Sequence, residues 1–180
     1  NMTLVLTNGG SIFASSLIFF GGSNPANISL DAGGRPDKTL PLASGQTLAG
    51  VGRINGGLVV SAGATLSPAG TNITLGITTG VNAVGTISAT GTVALDGTTT
   101  IKLNGSGTND VVQSINGGIT YGGTLNLVNI SGRPLVAGNN FQIFNATSYS
   151  GTFANIIPAT PGAGLAWDTM QLNIGRLAVV

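Results

Sequence analysis

The chain has 180 residues, room for one domain with a sizeable core. Its hydrophobic share is 42% against only 6% charged residues, which excludes a charge-rich disordered chain, and its +1 net charge comes from scattered residues that form no basic face for a nucleic acid. Neither Cys, His nor Glu occurs, which removes disulfides, thiol nucleophiles, Ser-His-Asp triads and His-ligated zinc.

Thirty glycines among abundant Thr, Val, Ile and Asn make a strand-and-turn composition. The first residue is Asn1, as expected of a processed or excised piece, and no signal peptide pattern follows it. IFASSLIFF (12–20) is the longest apolar run; it is broken by serines and too short to cross a bilayer as a helix, so no membrane-spanning helix is predicted. DAGGRPDK (31–38) brings Asp31, Arg35, Asp37 and Lys38 close together. Residues 1–40 are expected to form an N-terminal capping or subunit-pairing segment.

Beyond residue 40 the pattern is short runs of period-2 alternation bounded by Gly, Asn or Pro, the mark of half-buried strands. Val93 and Leu95 share one face; Ile101 and Leu103 point inward with Lys102 outward; Leu125 and Leu127 flank an outward Asn126. Phe141 and Ile143 flank Gln142, and Met170, Leu172 and Ile174 alternate with Gln171 and Asn173 in what reads as a last strand. Gly-x-Thr-apolar punctuation recurs at 45–48, 63–66 and 122–125, with shorter Gly-Thr copies at 85–87, 91–93 and 151–153. Ile-Asn-Gly-Gly occurs twice, at 54–57 and 115–118, 61 residues apart, a distance that fits about three rungs of roughly 20 residues. Both copies run into β-branched residues, with no helix following and no Lys or Arg inside, so they read as corners of two equivalent rungs and not as phosphate loops. Such periodicity predicts a β-solenoid, with rungs over 41–130 and a C-terminal β cap over 131–180 holding Phe141, Phe144, Tyr149, Phe153 and Trp167. An antiparallel β-sandwich or jelly roll has similar strand lengths and turn signals and stands as the alternative.

Catalytic chemistry has few carriers: the acidic residues are Asp31, Asp37, Asp96, Asp110 and Asp168. A glycosidase needs two carboxylates across one cleft. Asp31 and Asp37, with Arg35 and Lys38, could wrap a hard cation such as calcium, as a β-helical polysaccharide lyase would require, or could form a solvated turn with local ion pairs. Asp110 reads as a turn residue that bonds the backbone two residues on. Trp167 beside Asp168 reads either as a sugar platform or as a cap packed on the last rung. An ice-binding array would need outward threonines rung after rung, where the alternation puts Lys102, Asn126, Gln142 and Asn173. Asn-x-Ser/Thr triplets stand at Asn1, Asn27, Asn72, Asn104, Asn129 and Asn145. No catalytic, cofactor-binding or metal-binding residue is assigned, and no cofactor.

AGATLSPAG (62–70), TTTIKLNGSGTNDVV (98–112), GGTLNL (122–127), LVAGNNFQIFNATSYSGTF (135–153) and the closing GLAWDTMQLNIGRLAVV together resemble the passenger-associated β-strand repeats of bacterial autotransporters. The resemblance covers roughly three quarters of the chain, from Gly45 onward; residues 1–40 match poorly, SPAG carries an extra Ala, and these 180 residues include no membrane β-barrel pattern. It implies a right-handed parallel β-helix displayed outside the cell.

The reading that results is a non-enzymatic extracellular or cell-surface module of bacterial type: a stalk, filament or surface-array subunit. It would pair through TLVLT (3–7) and SSLIFF (15–20) with copies of itself as a homopolymer, or with a larger surface protein. The alternatives are a carbohydrate-binding adhesin, with carbohydrate as partner, and a polysaccharide lyase.

Overall fold

The glycine and asparagine punctuation cuts the chain into strands too short to form a sheet alone, and the chain stacks them in coils. In the computed structural model, residues 2–7, 10, 12, 15–19, 28–69 and 84–180 are described. Asn1, Asn27 and the whole Asn72 triplet, and parts of IFASSLIFF and SPAG, lie outside them.

The first coil contributes β1 (Met2–Thr7) and β2 (Ser16–Phe19). The second holds β3 (Ile28–Gly34), β4 (Thr39–Leu42) and β5 (Thr47–Gly50). The third holds β6 (Gly52–Asn55), β7 (Gly57–Val60) and β8 (Thr65–Pro68), and the fourth β9 (Thr86–Ala89), β10 (Val93–Leu95) and β11 (Thr98–Asn104). A short β12 (Thr108–Asn109) folds back on β11 before the fifth coil, β13 (Val111–Ser114), β14 (Gly118–Tyr121) and β15 (Thr124–Asn129). After β16 (Asn140–Gln142), the last coil is β17 (Phe144–Asn145), β18 (Ser148–Gly151) and β19 (Asn155–Ile157). The chain closes with β20 (Trp167–Asp168), a 3-10 helix (Met170–Ile174) and β21 (Arg176–Val179).

Three parallel sheets result, ordered β1-β3-β6-β9-β13-β17, β4-β7-β10-β14-β18 and β2-β5-β8-β11-β15-β19. This is a parallel β-helix and not an antiparallel sandwich. Antiparallel pairing is found in the β11–β12 hairpin and in a small sheet β16-β21-β20 beside the last coil. The stack therefore takes in strands on both sides of residues 40 and 130.

Parallel register lines like residues up in columns that form the core. Leu40, Leu58, Val93 and Ile119 stack in the second sheet, and Leu42, Val60, Leu95 and Tyr121 beside them, all buried. In the third sheet Leu48, Leu66, Thr99, Leu125 and Ile156 form the inward column. The Gly-x-Thr threonines are neighbours too: Thr47, Thr65, Thr98 and Thr124 form one column on the outward side.

Register also explains the paired Ile-Asn-Gly-Gly. Leu58 pairs with Val93 and Val93 with Ile119, so Gly57 and Gly118 hold like places two coils apart, not three, through steps of 35 and 26 residues. In the first sheet Ile54 pairs with Ala89 and Ala89 with Ser114, which leaves one extra residue at the second corner. Ile54 is fully buried, whereas Ile115 falls on the corner and is 36% exposed. A Cβ on Gly123, at a different corner, would stand 2.1 Å from the Gly97 carbonyl oxygen of the coil before, so only glycine permits that approach.

The closing segment departs from the alternation. Met170, Leu172 and Ile174 lie in the 3-10 helix, where Leu172 alone is buried and Met170 is 84% exposed. Asp168 stands just before it and bonds the backbone two residues on: its carboxylate accepts from the Met170 N–H at 3.0 Å and from Gln171 Nε2 at 3.1 Å, which favours a turn over an extended strand. Gly175 ends it at φ 77°.

One buried polar atom breaks the apolar core. Thr99 Oγ1, in a column of leucines, meets no hydrogen-bond partner among the described residues. Thr99→Val keeps the shape and removes the orphaned hydroxyl, and is expected to raise the unfolding free energy by about 1–2 kcal/mol in urea titration.

Candidate functional site

Hairpin register builds the one buried ion pair among the described residues. β11 and β12 pair Leu103 with Asn109 and Asn104 with Thr108, so the next residues out, Lys102 and Asp110, face each other. The Asp110 N–H donates to the Lys102 carbonyl at 2.9 Å. Lys102 Nζ stands 3.3 Å from Asp110 Oδ2, with the side chains 2% and 0% exposed, and donates to the Pro68 carbonyl at 2.9 Å. Asp110 Oδ1 accepts from the Gly85 N–H and Oδ2 from the Lys102 N–H, each at 2.9 Å. Burial pushes the Asp110 carboxyl up to about 6, against the lowering pull of the Lys102 charge and of the backbone N–H groups.

Both residues differ from their sequence reading. Lys102 is not a solvated outward residue, and Asp110 does not bond the backbone two residues on: it clasps β11, the start of the β9 segment and, through Lys102, the end of β8. The signal was present as a Lys between two aliphatics and an Asp eight residues later across an Asn-Gly-Ser-Gly turn. Alternation sets a side chain's face, but it does not say what covers that face.

Asp31 and Asp37 take different protein partners. Asp31 Oδ1 accepts from the Gly33 N–H at 2.7 Å and from Asn55 Nδ2 at 2.8 Å. Asp37 takes a two-pronged contact from Arg35, 3.0 and 3.2 Å, plus the Thr39 N–H at 3.1 Å, and the Arg35 guanidinium holds its carboxyl below the usual value. Asn55 belongs to a corner ladder, with Asp31 on one side and the Thr90 hydroxyl at 3.4 Å on the other. No group of three or more acidic side chains gathers among the described residues. Trp167 packs against the core with Nε1 donating to the Pro158 carbonyl at 2.9 Å. Asn126, outward as expected, donates to Thr100 Oγ1 at 3.3 Å.

The two ends of the stack differ. At the C-terminal end Gly175 O accepts from the Phe144 N–H at 3.0 Å, and the Tyr121 hydroxyl donates to the Leu172 carbonyl at 2.9 Å, so the 3-10 helix sits over the last coil. Tyr121, Phe144, Tyr149 and Phe153 cluster beneath it, with ring centroids 4.8–6.1 Å apart. Beside that helix a hollow of about 270 Å³ opens between Tyr149, Phe153, Ile156 and Met170. At the N-terminal end β1, β2 and β4 are the outermost strands of their sheets among the described residues. Leu4 stands in the inward column with Leu30 and Ile54, yet it is 47% exposed where those two are buried; Val5 beside it is 53% exposed. No described helix is long and apolar enough to cross a membrane.

No family model, no curated protein and no solved structure matches this chain.

Two outcomes follow from this geometry. Asp110→Ala leaves the Lys102 ammonium buried without its counter-charge and is expected to cost about 3–5 kcal/mol, while Lys102→Met/Asp110→Ala costs clearly less than the two single changes summed, measured by denaturant titration as a double-mutant cycle. Adding calcium or EDTA is expected to leave the melting temperature unchanged, because the Asp31 and Asp37 carboxylates already have protein partners.

Proposed function

We propose that the chain is a non-enzymatic structural module of a bacterial cell surface, a stalk, filament or surface-array subunit that associates with copies of itself by strand pairing. The observation that carries this reading is the exposed Leu4 in the inward column of β1, which with β2 and β4 is outermost in its sheet among the described residues. An apolar core that ends at an open layer of parallel strands presents both unpaired backbone groups and bare hydrocarbon. A further layer of parallel strands satisfies both at once.

Composition supports the same reading. With 6% charged residues, little electrostatic repulsion opposes close packing of one copy on another. The Asn-, Thr- and Gly-rich surface and the resemblance to autotransporter passenger repeats support display outside the cell. The stack itself also suits a stalk, since length is gained by adding coils without changing the cross-section.

Leu4→Lys/Val5→Lys places two charges on the outermost strand at positions already exposed. Wild-type chain is expected to form larger species as its concentration rises in sedimentation velocity and to give regular assemblies by electron microscopy. The double variant should stay monomeric with an unchanged far-ultraviolet spectrum. A wild-type chain that remains monomeric at every concentration defeats the proposal.

A further inference from the structure

The Lys102–Asp110 pair has no part in the self-association reading, and its geometry points to chemistry of its own. An amine and a carboxyl group, 2% and 0% exposed, lie 3.3 Å apart with no room for water to separate them. Neither side chain is free to swing away: Nζ is tied to the Pro68 carbonyl, and the two carboxyl oxygens are tied to the N–H groups of Gly85 and Lys102. The hairpin register that brings them together is already fixed by the backbone. Holding two reacting groups in this way replaces a bimolecular encounter with an intramolecular one of very high effective concentration.

We infer that Lys102 and Asp110 condense into an intramolecular side-chain amide, an isopeptide bond between Nζ and Cγ. Attack requires a proton to pass from Lys102 Nζ across the 3.3 Å contact to Asp110 Oδ2, which sets an amine against a carboxylic acid. The raised Asp110 carboxyl agrees with that direction. The Nζ lone pair attacks Cγ, and the negative charge that develops on Oδ1 faces the Gly85 N–H, which is already in place at 2.9 Å. The Cγ–Oδ2 bond then breaks as the surplus Nζ proton joins the departing hydroxyl. One C–N bond replaces one C–O bond, one water leaves, and no oxidant, reductant or co-reactant is consumed. The product ties the end of β11 covalently to the residue that leads into β13, and it removes a buried charge pair from the wall of the stack.

Mass spectrometry on the full chain decides between the amide and the ion pair. The natively purified 17.7 kDa protein is expected to be lighter than its sequence mass by one water. Trypsin should fail to cut after Lys102, because an acylated lysine is not a substrate; Arg133 is followed by Pro134 and resists as well, so residues 54–176 should appear in one piece. Fragmentation should join Lys102 to Asp110. Lys102→Arg keeps the positive charge but cannot form the amide, so it should run at its own sequence mass and be cut by trypsin at that position. Asp110→Ala should restore both the sequence mass and cleavage after Lys102. A wild-type chain at its full sequence mass overturns the inference. So does loss of one water with Lys102 still cut, which identifies a backbone succinimide at Asp110–Val111. Both of these results are read on the wild-type chain, so a variant that fails to fold leaves the test intact.

Discussion

Parallel register is the constraint on which everything else in this protein depends. Strands stacked about 4.8 Å apart force every coil to put its core residue directly over the one below. A chain of 42% hydrophobic residues can meet that demand only by concentrating its apolar side chains in a few narrow columns. Leu40, Leu58, Val93 and Ile119 show the result: four ordinary aliphatics from four coils give one continuous buried line. What lies between the columns must turn the corner without pushing the coils apart. That is why glycine stands at the corners where a neighbouring backbone comes within about 2 Å of a would-be Cβ, as at Gly123 over Gly97 and Gly151 over Tyr121.

The same constraint sorts what the sequence disclosed from what it concealed. Alternation located most strands and their inward residues, because the face on which a side chain lies follows from a period of two: Val93, Leu95, Ile101, Leu103, Leu125 and Phe141 are all buried. The length of a coil was not legible. Steps along the second sheet run 18, 35, 26 and 30 residues, from Leu40 to Leu58, Val93, Ile119 and Tyr149, since loops of any length can leave the corners while the strands stay in register. Equal spacing between motif copies therefore measures nothing, and the two Ile-Asn-Gly-Gly copies align at Gly57 and Gly118 but not at Ile54 and Ile115. Closing residues 170–174 mislead for a different reason: an Asp just before the alternating stretch bonds the backbone two residues on, which favours a turn over an extended strand.

Sites were harder to read than strands because they depend on cover, which a local pattern does not contain. Lys102 and Val59 occupy comparable outward slots of short strands, yet Lys102 is 2% exposed and Val59 only half-buried. The difference arises from the hairpin that carries Asp110 back across β11, a tertiary event visible in sequence only as a turn with an Asp behind it. Asp31 and Asp37 make the opposite case. Their closeness in sequence allowed either a shared cation or a solvated turn with local ion pairs, and the turn is what forms: Asp37 pairs with Arg35 inside it, while Asp31 bonds Asn55 of the next coil.

These features meet in the contrast between the walls of the stack and its ends. Along the walls each coil is held by two neighbours, so a defect such as the orphaned Thr99 hydroxyl is tolerated between Leu66 and Leu125. At an end a coil has one neighbour, and the missing half of its contacts must come from somewhere. The C-terminal end obtains them from within the chain, through Gly175, Leu172 and a cluster of four rings. Leu4 at the other end has the register of a core residue and the exposure of a surface one. A leucine held in that position costs hydration free energy of roughly 1–2 kcal/mol for as long as it stays bare, and covering it recovers that amount for each such residue. The asymmetry among the described residues is thus one of cover: hydrocarbon in core register stands bare where Leu4 lies, and little does at the end that Leu172 and the four rings close.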